Sequence, residues 1–214
     1  MILSTRVEAL PEPGPTVLVI DDDQLIREAL GRLLRSVDLS AQLFASIPEF
    51  LKTGRPKGTC CMVLDVRLPG KSGLDFQREL RAAGIQLPII FITGHGDIPM
   101  SVQAMKGGAI EFLTKPFRDQ DLLDAIELGL ARDCAWRADE KALAALKERF
   151  EGLTTREREI MIHVVRGRLS KQIAADIGVS ENTVKVHRGN MMRKMKAASL
   201  PELGQMADKL KLIT

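Results

Sequence analysis

The sequence predicts a doubly wound α/β domain with a five-stranded parallel sheet, followed by an all-α domain of four helices. With 214 residues the chain is longer than a typical domain of about 100 to 150 residues. Short apolar runs alternate with amphipathic helical patterns up to about residue 130, as in a parallel sheet covered by helices on both faces. Beyond Gly152 only helical patterns occur. These three observations together indicate two domains.

The five apolar runs are the predicted strands of the first domain: 17–20, 41–44, 60–64, 88–92 and 111–113. After the first run, apolar residues from Ile26 to Val37 follow the i, i+3, i+4 spacing of one helix face. Ser46 and Glu49 have the spacing of a capping box that begins a second helix. Further helices are predicted over about 73–83 and 98–106.

The four predicted C-terminal helices are separated by short turns. The first begins at Thr154 with a capping box to Glu157, and the second covers 170–177. The third covers 180–196, and the fourth begins at Ser199. The turn 178–180 carries its own N-cap and predicts a helix-turn-helix.

The predicted domain organisation has four parts. Residues 1–15 are a flexible N-terminal segment, 16–130 the α/β domain, 131–149 a helical linker and 150–214 the all-α domain. From Asp119 the helical pattern continues to Phe150 without Pro, so one long helix is possible. Gly129 and the polar run 132–141 are the places where this helix is expected to weaken or break.

The composition indicates a soluble, cytoplasmic protein that binds a polyanion. No apolar run approaches the roughly 18 residues that span a bilayer, and residues 1–15 do not resemble a signal peptide. Cys60 and Cys61 are expected to be small buried side chains on opposite strand faces. From Gly152 onward there are 12 Lys and Arg against 6 Asp and Glu, a net charge of +6. Such local basicity favours a nucleic-acid partner.

Acidic residues follow two of the predicted strands. Asp21, Asp22 and Asp23 follow the first strand, and Asp65 follows the third. The carboxyl ends of parallel strands meet at one edge of a sheet, so three or four carboxylates should converge there. Such a cluster requires a cation, and hard oxygen ligands suit Mg²⁺ or Mn²⁺.

A hydroxyl and an ammonium group join the same predicted edge. Thr93 ends the fourth strand, and Lys115 follows the fifth. A carboxylate nucleophile, a metal, a hydroxyl donor and a lysine cation are the groups that an acyl phosphate needs. The set predicts phosphoryl transfer to one of the carboxylates.

The motifs 19–23, 64–70, 92–97 and 115–117 resemble the receiver domain of response regulators, which has a flavodoxin-like fold. The resemblance covers about residues 16–130. It implies that Asp65 is the phosphoacceptor and that Asp21, Asp22 and the Arg67 carbonyl hold the metal with it.

The resemblance also implies a switch, which would consist of Thr93, Phe112 and Lys115. Phe112 stands where many relatives have Tyr. Because its ring has no hydroxyl group, the phosphorylation state must be signalled by a change in the burial of the ring. Arg67 and His95 would line the approach of water.

The third C-terminal helix is expected to enter a DNA major groove. A helical wheel places Val184, His187, Met191 and Met195 on the core side. The opposite side forms an exposed stripe, which consists of Asn182, Lys185, Val186, Gly189 and Arg193.

The segments 153–159, 170–174 and 183–188 resemble the LuxR-type helix-turn-helix. Together with a receiver this is similar to the NarL/FixJ class of transcription regulators. The resemblance implies that Lys185 and Val186 contact base edges, while Lys171, Thr183 and Arg188 contact phosphates. Asn182 and Arg193 join the interface, whereas the contribution of Gly189 is left open. The implied partners are a sensor histidine kinase, double-stranded DNA, RNA polymerase and, after phosphorylation, a second copy of the chain.

The expected function is phosphorylation-dependent activation of transcription, with no enzymatic turnover beyond uptake and loss of phosphate at Asp65. Three alternative functions make different demands on the sequence. A small-molecule phosphatase or phosphotransferase would need a general acid and a cap domain, which the sequence does not offer. A LuxR-type receptor for a diffusible signal would need an apolar ligand cavity rather than acidic strand ends. An interaction module with an idle receiver differs only in taking up no phosphate.

Overall fold

The computed structural model describes residues 14–212, so all but Gly14 and Pro15 of the predicted N-terminal segment lies outside the described residues. Five parallel strands form one sheet in the order β2-β1-β3-β4-β5. Their bounds are β1 Thr16–Ile20, β2 Ser40–Phe44, β3 Cys60–Asp65, β4 Ile89–Thr93 and β5 Glu111–Thr114. The predicted strands are confirmed to within one or two residues at each end.

Helices alternate with these strands along the chain. They are α1 Gln24–Ser36, α2 Ile47–Thr53, α3 Gly73–Ala82, α4 Ile98–Lys106 and α5 Asp119–Glu151. Two apolar clusters form, one on each face of the sheet. Cys60 belongs to one cluster and Cys61 to the other, as the strand alternation predicted. Burial of β1, β3 and β4 on both faces explains why their sequences are continuously apolar.

Helix α5 is continuous over 33 residues, so the break expected at Gly129 or within 132–141 does not occur. Gly129 is buried against β3, where an added Cβ would lie 3.0 Å from the Cβ of Cys61. The glycine therefore permits close packing instead of weakening the helix.

The polar run in α5 also makes buried contacts. Asp133 is fully buried, pairs with Arg55 and accepts a hydrogen bond of 2.8 Å from the Cys60 backbone N–H. Arg137 donates to the same carboxylate at 2.8 Å and to the Pro56 carbonyl at 3.0 Å. The contacts of the chain divide it between Arg137 and Ala138, inside the stretch predicted as a linker.

The C-terminal unit contains the later part of α5 and four further helices, α6 Thr155–Val165, α7 Ser170–Ile177, α8 Glu181–Met195 and α9 Leu200–Lys209. The capping box of Thr154 and Glu157 is present, and Ser180 and Ser199 cap α8 and α9. Gly178 ends α7 with φ +69°, which suits the turn before α8. Leu146 of the predicted linker is buried in this core.

Among the helices of residues 14–212, none is both long enough and apolar enough to cross a membrane.

Candidate functional site

Three carboxylates meet at the carboxyl edge of the sheet. β1 and β3 are neighbours, with Ile20 paired to Leu64, so the residues that follow lie side by side. One oxygen each from Asp21, Asp22 and Asp65 lies within 4.8 Å of the others. Asp21 and Asp65 are buried, whereas Asp22 is exposed and faces solvent. Three hard oxygen donors at this spacing, open on one side, fit a magnesium ion that retains water ligands.

Asp23 does not belong to this cluster. Its side chain caps α1 by accepting hydrogen bonds from the N–H groups of Leu25 at 2.8 Å and Ile26 at 3.4 Å. The sequence left three or four carboxylates possible, and the structure brings three together. Helix capping explains the third consecutive aspartate.

Lys115 reaches into the carboxylate cluster from the end of β5. Its Nζ lies 2.6 Å from Asp21 Oδ2 and 3.5 Å from Asp65 Oδ2. The lysine side chain is mostly buried, and Asp21 is fully buried. The ammonium therefore balances part of the negative charge of the cluster.

The environment of Asp65 raises the pKa of its carboxyl group. Burial is the largest cause, and the charge of Asp21 adds to it. Lys115 and a 3.4 Å hydrogen bond from the Arg67 backbone N–H act in the opposite direction. Since burial disfavours the charged form, a cation beside Asp65 would favour the ionised carboxylate that a nucleophile requires.

The predicted switch residues lie on the two strands that follow β3 in the sheet, Thr93 on β4 and Phe112 on β5. Thr93 is fully buried at the end of β4, where its Oγ1 accepts a 3.3 Å hydrogen bond from the His95 N–H. Phe112 on β5 is partly buried, with its ring centroid 6.4 Å from that of Phe91. Arg67 and His95 are exposed, and their role in lining the approach of water stays a prediction.

Gly96 is a residue whose importance the sequence analysis missed. A Cβ at this position would lie 2.9 Å from Phe112 Cε1 and 2.9 Å from Thr114 Cγ2. The loop after β4 can therefore lie against the Phe112 ring only with glycine here. A glycine in the loop was visible in the sequence, but its distant neighbour on β5 was not.

Helix α8 presents the predicted faces. Val184, Met191 and Met195 are fully buried, and His187 is partly buried beside them. The residues of the predicted stripe are all exposed: Asn182, Lys185, Val186, Gly189 and Arg193. Val186 is 55% exposed, so its side chain is available for contact with a partner.

Several polar residues of the predicted DNA interface are held by neighbours. Arg188 donates a 2.7 Å hydrogen bond to Ser170 Oγ and so ties α8 to the start of α7. Lys185 Nζ lies 2.9 Å from Glu181 Oε1, and the Thr183 and Ser180 hydroxyl oxygens are 2.8 Å apart. Lys171 is exposed on α7.

This unit contains an ion pair between a buried glutamate and a partly exposed lysine that the sequence did not reveal. Glu157 is buried, and Lys194 Nζ on α8 lies 2.7 Å from its Oε2. Glu157 was predicted only as a helix cap. Because Lys194 is 37 residues away, no local pattern indicates the pairing.

Comparison with protein families gives two matches. Residues 17–127 match the response regulator receiver domain, and residues 151–207 match the bacterial regulatory proteins of the luxR family.

Relatives match along most of the chain. Nodulation protein W of Bradyrhizobium diazoefficiens is 52% identical over 194 residues, which are 91% of this chain and 86% of that protein. The response regulator protein TodT of Pseudomonas putida is 44% identical over 97% of this chain and 91% of its own length. The transcriptional regulatory protein FixJ of Azorhizobium caulinodans is 46% identical, covering 92% and 93% respectively. Among solved structures, the response regulator StyR matches with a TM-score of 0.80 and 47% identity, over 91% of this chain and 98% of its own.

Proposed function

Because the chain belongs to the two-component response regulators that join a receiver domain to a LuxR-type DNA-binding domain, we propose that phosphorylation of Asp65 controls its regulation of transcription. The observation that carries the proposal is the meeting of Asp65 with Asp21, Asp22 and Lys115 at one edge of the sheet. We place the activity in the cytoplasm, where the regulated DNA and the receiver's phosphodonor meet.

The reaction is transfer of a phosphoryl group from a sensor histidine kinase. A carboxylate oxygen of Asp65 attacks phosphorus as the P–N bond to the kinase's phosphohistidine breaks, and the imidazole leaves. Asp65 lies at a strand end that is open to solvent through its neighbours Asp22 and Arg67. Lys115, 3.5 Å from Asp65, is placed to hold a phosphoryl oxygen after the transfer.

The metal ligands are Asp21, Asp22, Asp65 and the backbone carbonyl of Arg67. Mg²⁺ or Mn²⁺ bound there supplies positive charge that neutralises the phosphoryl oxygens. Asp21 also holds the Lys115 ammonium at 2.6 Å, so it orients both cationic partners of the phosphate.

Thr93 and Phe112 transmit the phosphorylation state of Asp65 to another surface of the domain. We infer that the Thr93 hydroxyl donates a hydrogen bond to the phosphoryl group, which moves the loop that carries His95 and Gly96. Gly96 lies against Phe112, so a shift of this loop changes the burial of the aromatic ring. The face formed by α4, β5 and α5 is altered as a result.

That face is proposed to bind a second copy of the chain after phosphorylation. It already exposes three apolar residues at helical spacing on α4, since Ile98, Val102 and Met105 are 80%, 44% and 45% exposed. Two paired chains present two copies of α8 to DNA, and RNA polymerase is the partner at the activated promoter. In each copy, Lys185 and Val186 contact base edges, flanked by Asn182 and Arg193, while Lys171, Thr183 and Arg188 contact phosphates.

Sedimentation with and without acetyl phosphate and Mg²⁺ tests this proposal. We expect a monomer to become a dimer and its affinity for a promoter duplex to rise by about tenfold or more, a gain of roughly 1.4 kcal/mol. A chain that stays monomeric in both states, even on DNA, would overturn the receiver-dimer part of the proposal.

A further inference from the structure

A cavity of about 380 Å³ opens at the amino-terminal edge of the receiver sheet, opposite the edge that carries Asp65. It lies between the end of α3, the start of β4, the residues just after α4 and the part of α5 that contains Arg132 and Trp136. None of its lining residues takes part in the site described above.

The lining of this cavity is positively charged. Arg81, Lys106 and Arg132 contribute cationic side chains, and none of the lining residues is acidic. Within residues 14–212, none of these three cations has a carboxylate within 4.0 Å, whereas most other arginines of the receiver are paired. Arg81 donates a 3.3 Å hydrogen bond to the Lys106 carbonyl, but no carboxylate balances its charge. Three cations without carboxylate partners around one concave surface favour an anionic ligand.

The cavity also offers flat surfaces for stacking. Trp136 is partly buried, and the guanidinium carbon of Arg132 lies 4.9 Å from its ring centroid. Aromatic rings and guanidinium groups are the surfaces on which proteins stack nucleobases.

The cavity is also lined by the buried side-chain amide of Gln77. Gln77 is 6% exposed, and its Nε2 donates a 3.2 Å hydrogen bond to the Ala104 carbonyl. Its Oε1 lies so close to Gly107 that a Cβ there would be at 2.4 Å. Among the described residues no donor reaches this oxygen, so it can accept a hydrogen bond from a ligand N–H.

We propose that this cavity binds a small nucleotide. Its phosphate lies on the cations of Arg81 and Lys106, its base lies against Arg132 and Trp136, and Gln77 accepts from the edge of the base. Arginine forks and lysine ammonium groups bind phosphate oxygens strongly. The volume lies within the roughly 300 to 1,000 Å³ of small-ligand sites. An inorganic anion alone would leave the ring and the amide without a role.

Trp136 makes the test direct, because it is the single tryptophan of a chain that has no tyrosine. The full-length protein is titrated with AMP, GMP, cyclic AMP and cyclic di-GMP, following tryptophan emission and, independently, the heat of binding. We expect at least one nucleotide to give saturable binding by both measurements. The corresponding nucleosides and inorganic phosphate should bind at least about tenfold more weakly, which is the loss of one charged contact.

Matched variants locate the bound ligand. Arg81→Gln and Lys106→Gln should each weaken binding by about tenfold, whereas Arg78→Gln should leave it unchanged. Arg78 lies on the same helix as Arg81 but is paired with Asp75 and does not line the cavity. Uptake of phosphate from acetyl phosphate should be normal in all three variants, which shows that the receiver remains folded.

Three results would overturn the proposal. One is the absence of binding heat for every nucleotide up to about 1 mM, a binding free energy of only about 4 kcal/mol. Another is equal binding by inorganic phosphate, which would make the cavity an anion site without base recognition. The last is an equal loss of affinity in Arg78→Gln and Arg81→Gln, which would place the ligand elsewhere.

Discussion

Lys115 and Asp21 form a buried ion pair at 2.6 Å across the carboxyl edge of the receiver sheet. The lysine lies 94 residues after the aspartate, at the end of an outer strand. In the structure this pair balances a charge that the carboxylate cluster would otherwise leave uncompensated. The ion pair therefore links the folding of the receiver to the proposed metal site.

Replacing Lys115 with Met should lower the free energy of unfolding by about 3 kcal/mol in chelator, because the buried Asp21 carboxylate is left without a cationic partner. Mg²⁺ should recover more of the stability in this variant than in the parent, since a bound cation restores the charge balance. Urea unfolding followed by Trp136 emission measures both effects. Lys52→Met, at an exposed position, is the control. Equal stabilities of Lys115→Met and the parent in chelator would contradict the role of the pair.

Replacing Asp22 with Asn should abolish phosphorylation without destabilising the protein. Asp22 is exposed beside two other carboxylates, so its removal in chelator relieves repulsion and keeps or raises the melting temperature. The increase in melting temperature on adding Mg²⁺ should shrink. Asp23→Asn, whose side chain caps α1 instead, should keep the full Mg²⁺ response. A clear loss of stability of Asp22→Asn in chelator would count against the proposed cluster.

The C-terminal domain should lose stability in acid through Glu157. Burial acts to raise the pKa of this carboxyl group, but hydrogen bonds from Lys194 and Thr154 outweigh it and lower the pKa below its usual 4.5. A lowered pKa stabilises the fold above about pH 4.5, and this contribution is lost as the pH falls through the folded-state value.

Glu157→Gln should therefore weaken the domain at neutral pH and reduce the additional loss on acidification. Amide hydrogen exchange of the α6 peptides in the full chain measures this directly. Glu159→Gln, on the same helix and partly exposed, is the control. The account fails if the two variants show the same pH dependence.

The two predicted kinds of DNA contact should differ in their salt dependence. Lys171→Ala should weaken binding to all sequences alike and reduce the salt slope by about one unit, because one phosphate contact is lost. Lys185→Ala should reduce the difference in binding free energy between operator and scrambled DNA by roughly 1 to 3 kcal/mol if the Lys185 side chain contacts a guanine edge. Val186→Ala should leave the salt dependence of DNA affinity unchanged, because valine carries no charge. Equal weakening of both duplexes by Lys185→Ala would make Lys185 a phosphate anchor.

The secondary structure could be predicted where it depends on local residue patterns. Strands and helices follow from apolar periodicity and caps, as at Thr154 and Ser199. The receiver site follows from topology, since polar residues at the ends of parallel strands must meet at one edge. The exposed stripe of α8 follows from the helical wheel alone.

Contacts between distant segments could not be predicted. Nothing near Asp133 indicates that it is buried with Arg55, which is 78 residues away, so the polar run of α5 was expected to weaken or break the helix. Gly129 was expected to weaken a helix, because its close approach to Cys61 depends on the packed sheet. The pairing of Glu157 with Lys194 was missed for the same reason.

Asp65 alone is expected to accept the phosphoryl group. The parent, Asp65→Asn and Asp23→Asn are incubated with acetyl phosphate and Mg²⁺, and intact mass and peptide mapping locate any acyl phosphate. Asn fills the same volume as Asp, so Asp65→Asn should stay folded, with a melting temperature at or above that of the parent. We predict one phosphate on Asp65 in the parent and in Asp23→Asn, and none in Asp65→Asn. A folded Asp65→Asn variant that still takes up a stable acyl phosphate would show that another residue is the phosphoacceptor.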